Sequence, residues 1–311
     1  PESAAFEPDE FLDLCGHHPG CSSFLAPTMV QRLVATGRPR PANLHTVVYG
    51  GGPMYVDSLK KAMAAVGPIF VQLYGQGEAP MTVTGLRRAD HLDADDATLG
   101  SVGYARSGVD VAVVDADGRP AAVDEIGEIV CRGDVVMSGY WRNPEAEAER
   151  RRGGAYWTGD LFYRDADGYL YFAGRTDDRI RVDGENLAAA MIENILARYE
   201  GADAVAVYAV PDPVTGDQVM ATVAGHFEPD GFAAFLRAQP DLGTKMAPRF
   251  VRVVKRMPVT ATNKIHRALL RREGARCADP VWWRPPGETT YRKLAHHGTS
   301  EGPRAPTRGP V

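Results

Sequence analysis

The chain has 311 residues and an apolar fraction of 44 %, enough for one large domain or two to three ordinary ones with a sizeable core. Its formal net charge is −5 and its pI about 5.9, which excludes the basic electrostatic footprint of a nucleic-acid binder. Four cysteines are too few for a disulfide scaffold at this length. Neither a signal-peptide pattern nor an apolar run of the ~20 residues that span a bilayer is found, and the compartment expected is cytoplasmic.

Near the start, "CGHHPGC" gathers Cys15, His17, His18 and Cys21. Its spacing is not that of a zinc finger and no second ligand pair follows, so it reads as structural. "HTVVYGGGP" is an apolar strand running into glycines, "VDSLKKAMAAV" has helical spacing with Asp57 near its start, and "PIFVQLYG" is a second buried strand ending on Gly. From about residue 90 short strands alternate with turns. "VDVAVVDADGRPA" and "LFYRDADGYLYFAG" place the same Asp-Ala-Asp-Gly between strand-forming runs, a hairpin signal; neither copy has the ligands of a calcium loop. The run 150–152 (Arg-Arg-Arg) lies beside glutamates and reads as a solvated helix face. Beyond residue 174 come a helix in "NLAAAMIENILARY", strands in "ADAVAVYAV" and "DQVMATVAGHF", a helix in "PDGFAAFLRAQ", a strand in "RFVRVVKRMPVT" and a last helix in "IHRALLRRE". The tail from Cys277 is rich in Pro, Gly, His and Arg and is expected to be largely disordered, with Trp282 and Trp283 as an exception that docks.

Several of these stretches have functional groups at strand ends, where open α/β sheets bind ligands. "YGGGP" (49–53) leaves backbone bare enough for a flat ring to lie on it, or is simply a flexible turn. "YGQGE" (74–78) adds an aromatic that can stack on a base and a carboxylate, Glu78, that can hold Mg²⁺. In "YWTGD" (156–160) Asp160 suits the vicinal diol of a ribose, and in "GRTDD" (174–178) the fork of Arg175 suits ribose and phosphate oxygens. Lys264 in "PVTATNKIHR" lies in a loop between strand and helix; alone it would be a surface charge.

Together, "YGGGP", "YGQGE", "GYWRNPEA", "YWTGD", "GYLYFAGRTDDRIRVDGEN" and "PVTATNKIHRALLR" occur in an order that resembles the later half of the adenylate-forming superfamily, which includes acyl-CoA synthetases, luciferases and peptide-synthetase adenylation domains. The resemblance runs over residues 5–273 and is nearest in texture to the fatty-acyl-CoA synthetase branch. It implies an α/β plus α+β fold: a partial α/β subdomain (1–88), a β-rich, barrel-like subdomain (89–174) and a small mobile α+β domain (175–276), with 277–311 as the tail. It further implies an ATP-dependent ligase that joins a fatty or related carboxylic acid to CoA through an acyl-adenylate, with ATP, Mg²⁺ and CoA as reaction partners. By the same resemblance Gly51, Gly52 and Pro53 line one side of adenine and Tyr74 the other, with Gly75 also among the nucleotide-binding residues. Glu78 contacts Mg²⁺, Asp160 and Arg175 hold the ribose, and Lys264 bridges the acyl carboxylate and the α-phosphate. Asp177 matches the hinge, and Arg181 and Gly184 the face that serves thioester formation.

Three departures from that pattern stand out. Gly77 replaces a usual Thr, Asn263 replaces a usual Gly, and the family's Ser/Thr/Gly-rich phosphate loop ending in Pro-Lys-Gly appears nowhere in the 311 residues. The expectation is therefore a truncated or incomplete form that adenylates weakly or not at all alone and calls for a separate N-terminal half or a dimer partner. Two rivals remain: a ligase that loads a carrier protein, and a non-catalytic nucleotide- or acyl-binding remnant. No nucleic acid and no membrane span enter either reading.

Overall fold

A computed structural model describes residue 3 and residues 6–176, 180–260 and 264–294. Packing divides the chain into two units. The first is Pro1–Arg179 with Ala188–Arg198 and Val259–Ile265; the second is Ile180–Leu187 with Tyr199–Pro258 and His266–Val311.

In the first unit, α1 (Pro8–His17) and α2 (Pro27–Ala35) both begin on proline, whose fixed φ suits the first helical turn and whose missing N–H is no loss there. Strands β1 (Cys21–Leu25), β2 (Leu44–Gly50) and β3 (Phe70–Gln76) run parallel, with α3 (Val56–Val66) between the last two. The helix occupies the eleven residues whose spacing predicted it. The chain then turns back antiparallel through β4 (Ala79–Leu86), passes α4 (Asp96–Gly100), and closes the sheet with β5 (Tyr104–Ala105). Leu12, Leu25, Val30, Leu44, Leu59 and Phe70 form the core between these helices and the sheet.

The second sheet is antiparallel: β6 (Asp110–Val114), β7 (Gly127–Arg132), the short β8 (Arg151–Arg152) after helix α5 (Pro144–Arg150), β9 (Ala155–Arg164) and β10 (Leu170–Arg175), ordered β10-β9-β7-β6 with β8 on β9. Both Asp-Ala-Asp-Gly sequences are turns built alike. Asp115 and Asp165 each accept backbone N–H groups two and four residues on, at 2.8–3.1 Å. Val83 of β4 packs with Ile129, Tyr156 and Phe162, so the two sheets share apolar material at β4.

The second unit carries β11 (Ile180–Val182) and β12 (Glu185–Leu187). Next in the chain comes α6 (Ala189–Leu196), which packs in the first unit, where the Tyr55 hydroxyl donates to the buried Glu193 at 3.0 Å. Strands β13 (Ala202–Asp212) and β14 (Gly216–Gly225), helix α7 (Pro229–Arg237), β15 (Phe250–Val254), helix α8 (Arg267–Glu273), β16 (Val281–Trp283) and β17 (Arg292–Lys293) complete it. Its sheet runs β12-β11-β14-β15-β16-β17, with β13 on the same β14.

Trp282 and Trp283 dock as expected, and the disordered tail expected around them from 277 is corrected as far as Leu294. Trp282 pairs in register with Val251 and its ring meets Phe227, while Tyr291 is buried and donates to the Pro248 carbonyl at 2.6 Å. Apolar rings, few though they are, bind this segment to the sheet despite its Pro- and Gly-rich composition. The expected small domain, 175–276, also divides differently, because α6 and the segment around Lys264 pack with the first unit.

Candidate functional site

The hairpin β9–β10 sets the first pair of site residues. Its register places Arg175 directly opposite Asp160, and Arg175 Nε lies 3.0 Å from Asp160 Oδ1. The carboxylate is 8 % exposed and the guanidinium half exposed. From β3, the Tyr74 hydroxyl donates to Asp160 Oδ2 at 2.8 Å and the Gln76 amide donates to the same oxygen at 2.6 Å. Burial raises the Asp160 pKa above its usual range, and Arg175, Tyr74 and Gln76 pull against that rise. The Tyr74 phenol is pushed well up by burial first and by the Asp160 charge second.

Beside this cluster, Gly77 and Glu78 form the two-residue connection from β3 to β4. The Tyr140 hydroxyl donates to Glu78 Oε1 at 2.9 Å, and Tyr156 donates to Gln76 Oε1 at 2.6 Å. The hairpin is bulged at Gly75, where a methyl group would collide with the Met81 amide nitrogen and sit 2.5 Å from the Ala79 oxygen. Gly75 is therefore demanded by close backbone approach.

The glycine loop lies at the end of β2. A methyl group on Gly51 would fall 3.7 Å from Cε and 4.0 Å from Nζ of Lys264, which places the lysine side chain along that glycine. The lysine is held in a short hairpin: the Thr260 N–H donates to the Lys264 carbonyl at 2.7 Å, and Val259 bridges Ile265. Gly52 and Pro53 line a cavity of about 400 Å³ together with Tyr49, Met54 and Gln72 on one side and Tyr163, Tyr171 and α6 residues on the other. Gln72 is 6 % exposed, and its Oε1 has no hydrogen-bond partner among the described residues. A buried acceptor left without a partner is costly.

The structure thus brings Gly51, Gly52, Pro53, Tyr74, Gly75, Glu78, Asp160, Arg175 and Lys264 into the first unit. Tyr74 is tilted against Phe162 at 4.9 Å between ring centroids and is not among the residues lining the cavity with Gly52 and Pro53. Arg181 and Gly184 belong to the second unit. There β11 and β12 are joined by Asp183 and Gly184, both at positive φ, and the Arg181 N–H donates to Asp217 at 2.8 Å. Asp177 and Asn263 lie outside the described residues.

Among the described residues no group of three or more His, Cys, Asp or Glu is placed to hold a metal ion. Glu78 is one carboxylate, which suits Mg²⁺ arriving with phosphate oxygens and water rather than a resident protein-caged ion.

Sequence reasoning missed Gln72, Gln76, Tyr140 and Tyr156. Gln72, Tyr74 and Gln76 do recur at every second residue of a strand, a period that would have put them together. The two tyrosines carry no comparable signal.

Comparison with known proteins gives the class. The AMP-binding enzyme family model matches residues 1–141, and the AMP-binding enzyme C-terminal domain model matches residues 191–264. A medium/long-chain-fatty-acid–CoA ligase of Mycobacterium tuberculosis is 49 % identical over 193 residues, covering 60 % of this chain and 38 % of that protein. A feruloyl-CoA synthase of an Amycolatopsis species is 36 % identical over 276 residues, 86 % of this chain and 55 % of that protein. The structure of an amide bond synthetase from Marinactinospora thermotolerans superposes with a TM-score of 0.80 at 32 % identity, covering 87 % of this chain and 56 % of that one. The chain belongs to the adenylate-forming superfamily of AMP-binding enzymes. It spans about half the length, or less, of the curated relatives it matches: 38 % of the fatty-acid–CoA ligase and 55 % of the feruloyl-CoA synthase.

Proposed function

We propose that these residues form the nucleotide-binding and thioester-forming part of an ATP-dependent acyl-CoA ligase acting on a fatty or related carboxylic acid. The observation that carries the reading is the buried Asp160 carboxylate with Arg175 directly opposite it in the hairpin register, a pair suited to the vicinal diol of a ribose. A flat base such as adenine would fit the cavity that Gly52 and Pro53 line. Asp160 with Arg175 would then take the ribose hydroxyls, and Glu78 would take the Mg²⁺ that accompanies ATP.

In the first step a carboxylate oxygen of the acid attacks the α-phosphorus. A P–O bond forms, the bond to pyrophosphate breaks, and an acyl-adenylate results. Attack joins two anionic groups, and an ammonium at that point offsets the growing charge; Lys264, lying along Gly51, is suited to that role. In the second step the CoA thiol, losing its proton, attacks the acyl carbon and AMP leaves. Arg181 and Gly184 are assigned to that step on the strength of the family pattern, and Asp177 to the hinge between steps. Naming of several relatives as CoA ligases supports CoA as the acceptor.

We further propose that adenylation requires the portion of the longer relatives that these 311 residues do not match. The test is ATP–pyrophosphate exchange over a panel of carboxylic acids, with the 311 residues alone and with the unmatched portion of a relative supplied in trans. Exchange that appears or rises on complementation, and CoA-dependent release of AMP, are expected. Failure of exchange in both arms overturns the ligase reading in favour of a non-catalytic binder. Transfer to a carrier protein but not to CoA would move the acceptor.

A further inference from the structure

The three consecutive arginines at 150–152, read from sequence as a solvated helix face, have three different fates. Arg152 stacks on Trp157, its Cζ 3.9 Å from the ring centroid. Arg151 pairs with Glu147 at 3.2 Å and donates to the Ser138 carbonyl at 2.5 Å. Arg150, the last residue of α5, turns toward the nucleotide residues instead. Its guanidinium rests on Gly159, the residue before Asp160, where a methyl group would collide with Nη1 and lie 3.3 Å from Cζ. The missing side chain at Gly159 is what lets the cation lie there.

Three further observations set Arg150 apart from a surface charge. Its side chain is only 25 % exposed, yet its single ion pair among the described residues runs from Nε to Glu149 at 3.4 Å. That partner is its chain neighbour and is mostly exposed, so the pair contributes little and leaves both Nη nitrogens uncommitted among the described residues. The guanidinium is also close enough to the Tyr140 hydroxyl to oppose the rise that burial and the Glu78 bond give that phenol. Arg150 thus lies over the residue next to the ribose carboxylate and within electrostatic reach of the Tyr140–Glu78 pair.

The surroundings are anionic. Glu128 accepts the Gly159 N–H at 2.8 Å, Asp160 follows Gly159, and Glu78 lies under Tyr140. A polyphosphate running from a ribose at Asp160 toward a metal at Glu78 would meet these three carboxylates. Mg²⁺ offsets part of the repulsion, and a guanidinium with two free nitrogens offsets more, with bidentate geometry suited to phosphate oxygens. We propose that Arg150 binds the polyphosphate of the nucleotide held by Asp160 and Glu78. The proposal rests on the nucleotide reading above.

Binding of adenosine and of a non-hydrolysable MgATP analogue to the full chain, measured by titration calorimetry, tests it. Arg150→Met is expected to weaken the MgATP analogue by about tenfold or more and to leave adenosine within about twofold; Arg150→Lys should recover part of the loss. Equal weakening of both ligands would reduce Arg150 to a support for the Gly159 turn, and an unchanged MgATP affinity would leave it no binding role; either overturns the proposal. Asp160→Ala separates the two ideas, since it should abolish adenosine binding. Wild type that binds no adenosine, or Asp160→Ala that binds it equally well, fails the nucleotide reading itself and Arg150 with it.

Discussion

Asp160 is held between opposing influences. Burial disfavours its charge, while Arg175, Tyr74 and Gln76 favour it, and burial wins, so its pKa lies above the ordinary 3.8. A native pKa above the unfolded one means that the native state holds the proton more tightly. The associated stabilisation is complete below the unfolded value and is lost as pH rises through the native one. The unfolding free energy of wild type relative to Asp160→Asn should therefore fall as pH rises from about 3.8 toward neutrality. Denaturation at a series of pH values checks the sign; a difference that grows with pH would refute the raised pKa. On the proposed function Lys264 serves the chemistry instead. Lys264→Ala should lower ATP–pyrophosphate exchange in the complemented protein by about a hundredfold or more, the loss typical of one charge-stabilising donor. Adenosine binding by the same variant should be unchanged, and a parallel loss of both would assign the lysine to binding.

At the scale of elements, the β3–β4 hairpin makes a paired prediction. Gly75→Ala forces a methyl group against the backbone of Met81 and Ala79, and should cost more than about 1 kcal/mol. Gly77→Ala meets nothing within 4 Å and should stay within about 0.5 kcal/mol. Urea denaturation separates the two, and equal costs would contradict the bulge at Gly75. Strands, turns and the α3 helix were legible because each is announced by local chemistry: alternation, the Asp-Ala-Asp-Gly turns, helical spacing from Val56. The Asp160–Arg175 pair was legible as two motifs fifteen positions apart, and the hairpin register unites them. Gln72, Tyr140 and Arg150 were not legible. The open oxygen of Gln72 is a fact of packing, and Tyr140 and Arg150 reach Glu78 and Gly159 across sequence gaps that no local pattern records.

At the scale of the whole molecule, residues 277–294 belong to the second unit's sheet. Arg252 is 7 % exposed and bonds Glu273 at 2.8 Å and Asp279 at 2.5 Å. Asp279→Ala leaves that buried guanidinium with one carboxylate partner and should cost about 2 kcal/mol, less than a wholly buried pair because Asp279 is itself 37 % exposed. Asp117→Ala, which breaks the exposed pair with Arg119, should cost close to nothing by the same denaturation measurement. A negligible cost at Asp279 would return the segment to the status of a loose tail. The division of the chain has a last consequence. It passes from one unit to the other after residues 179, 187, 198, 258 and 265, so the units are interleaved in sequence. No single cut separates them. A fragment ending at residue 179 would forfeit both the helix whose Glu193 meets Tyr55 and the hairpin that lays Lys264 along Gly51. A gene encoding either unit alone would have to be stitched from three pieces, which binds the two to be made, inherited and lost together.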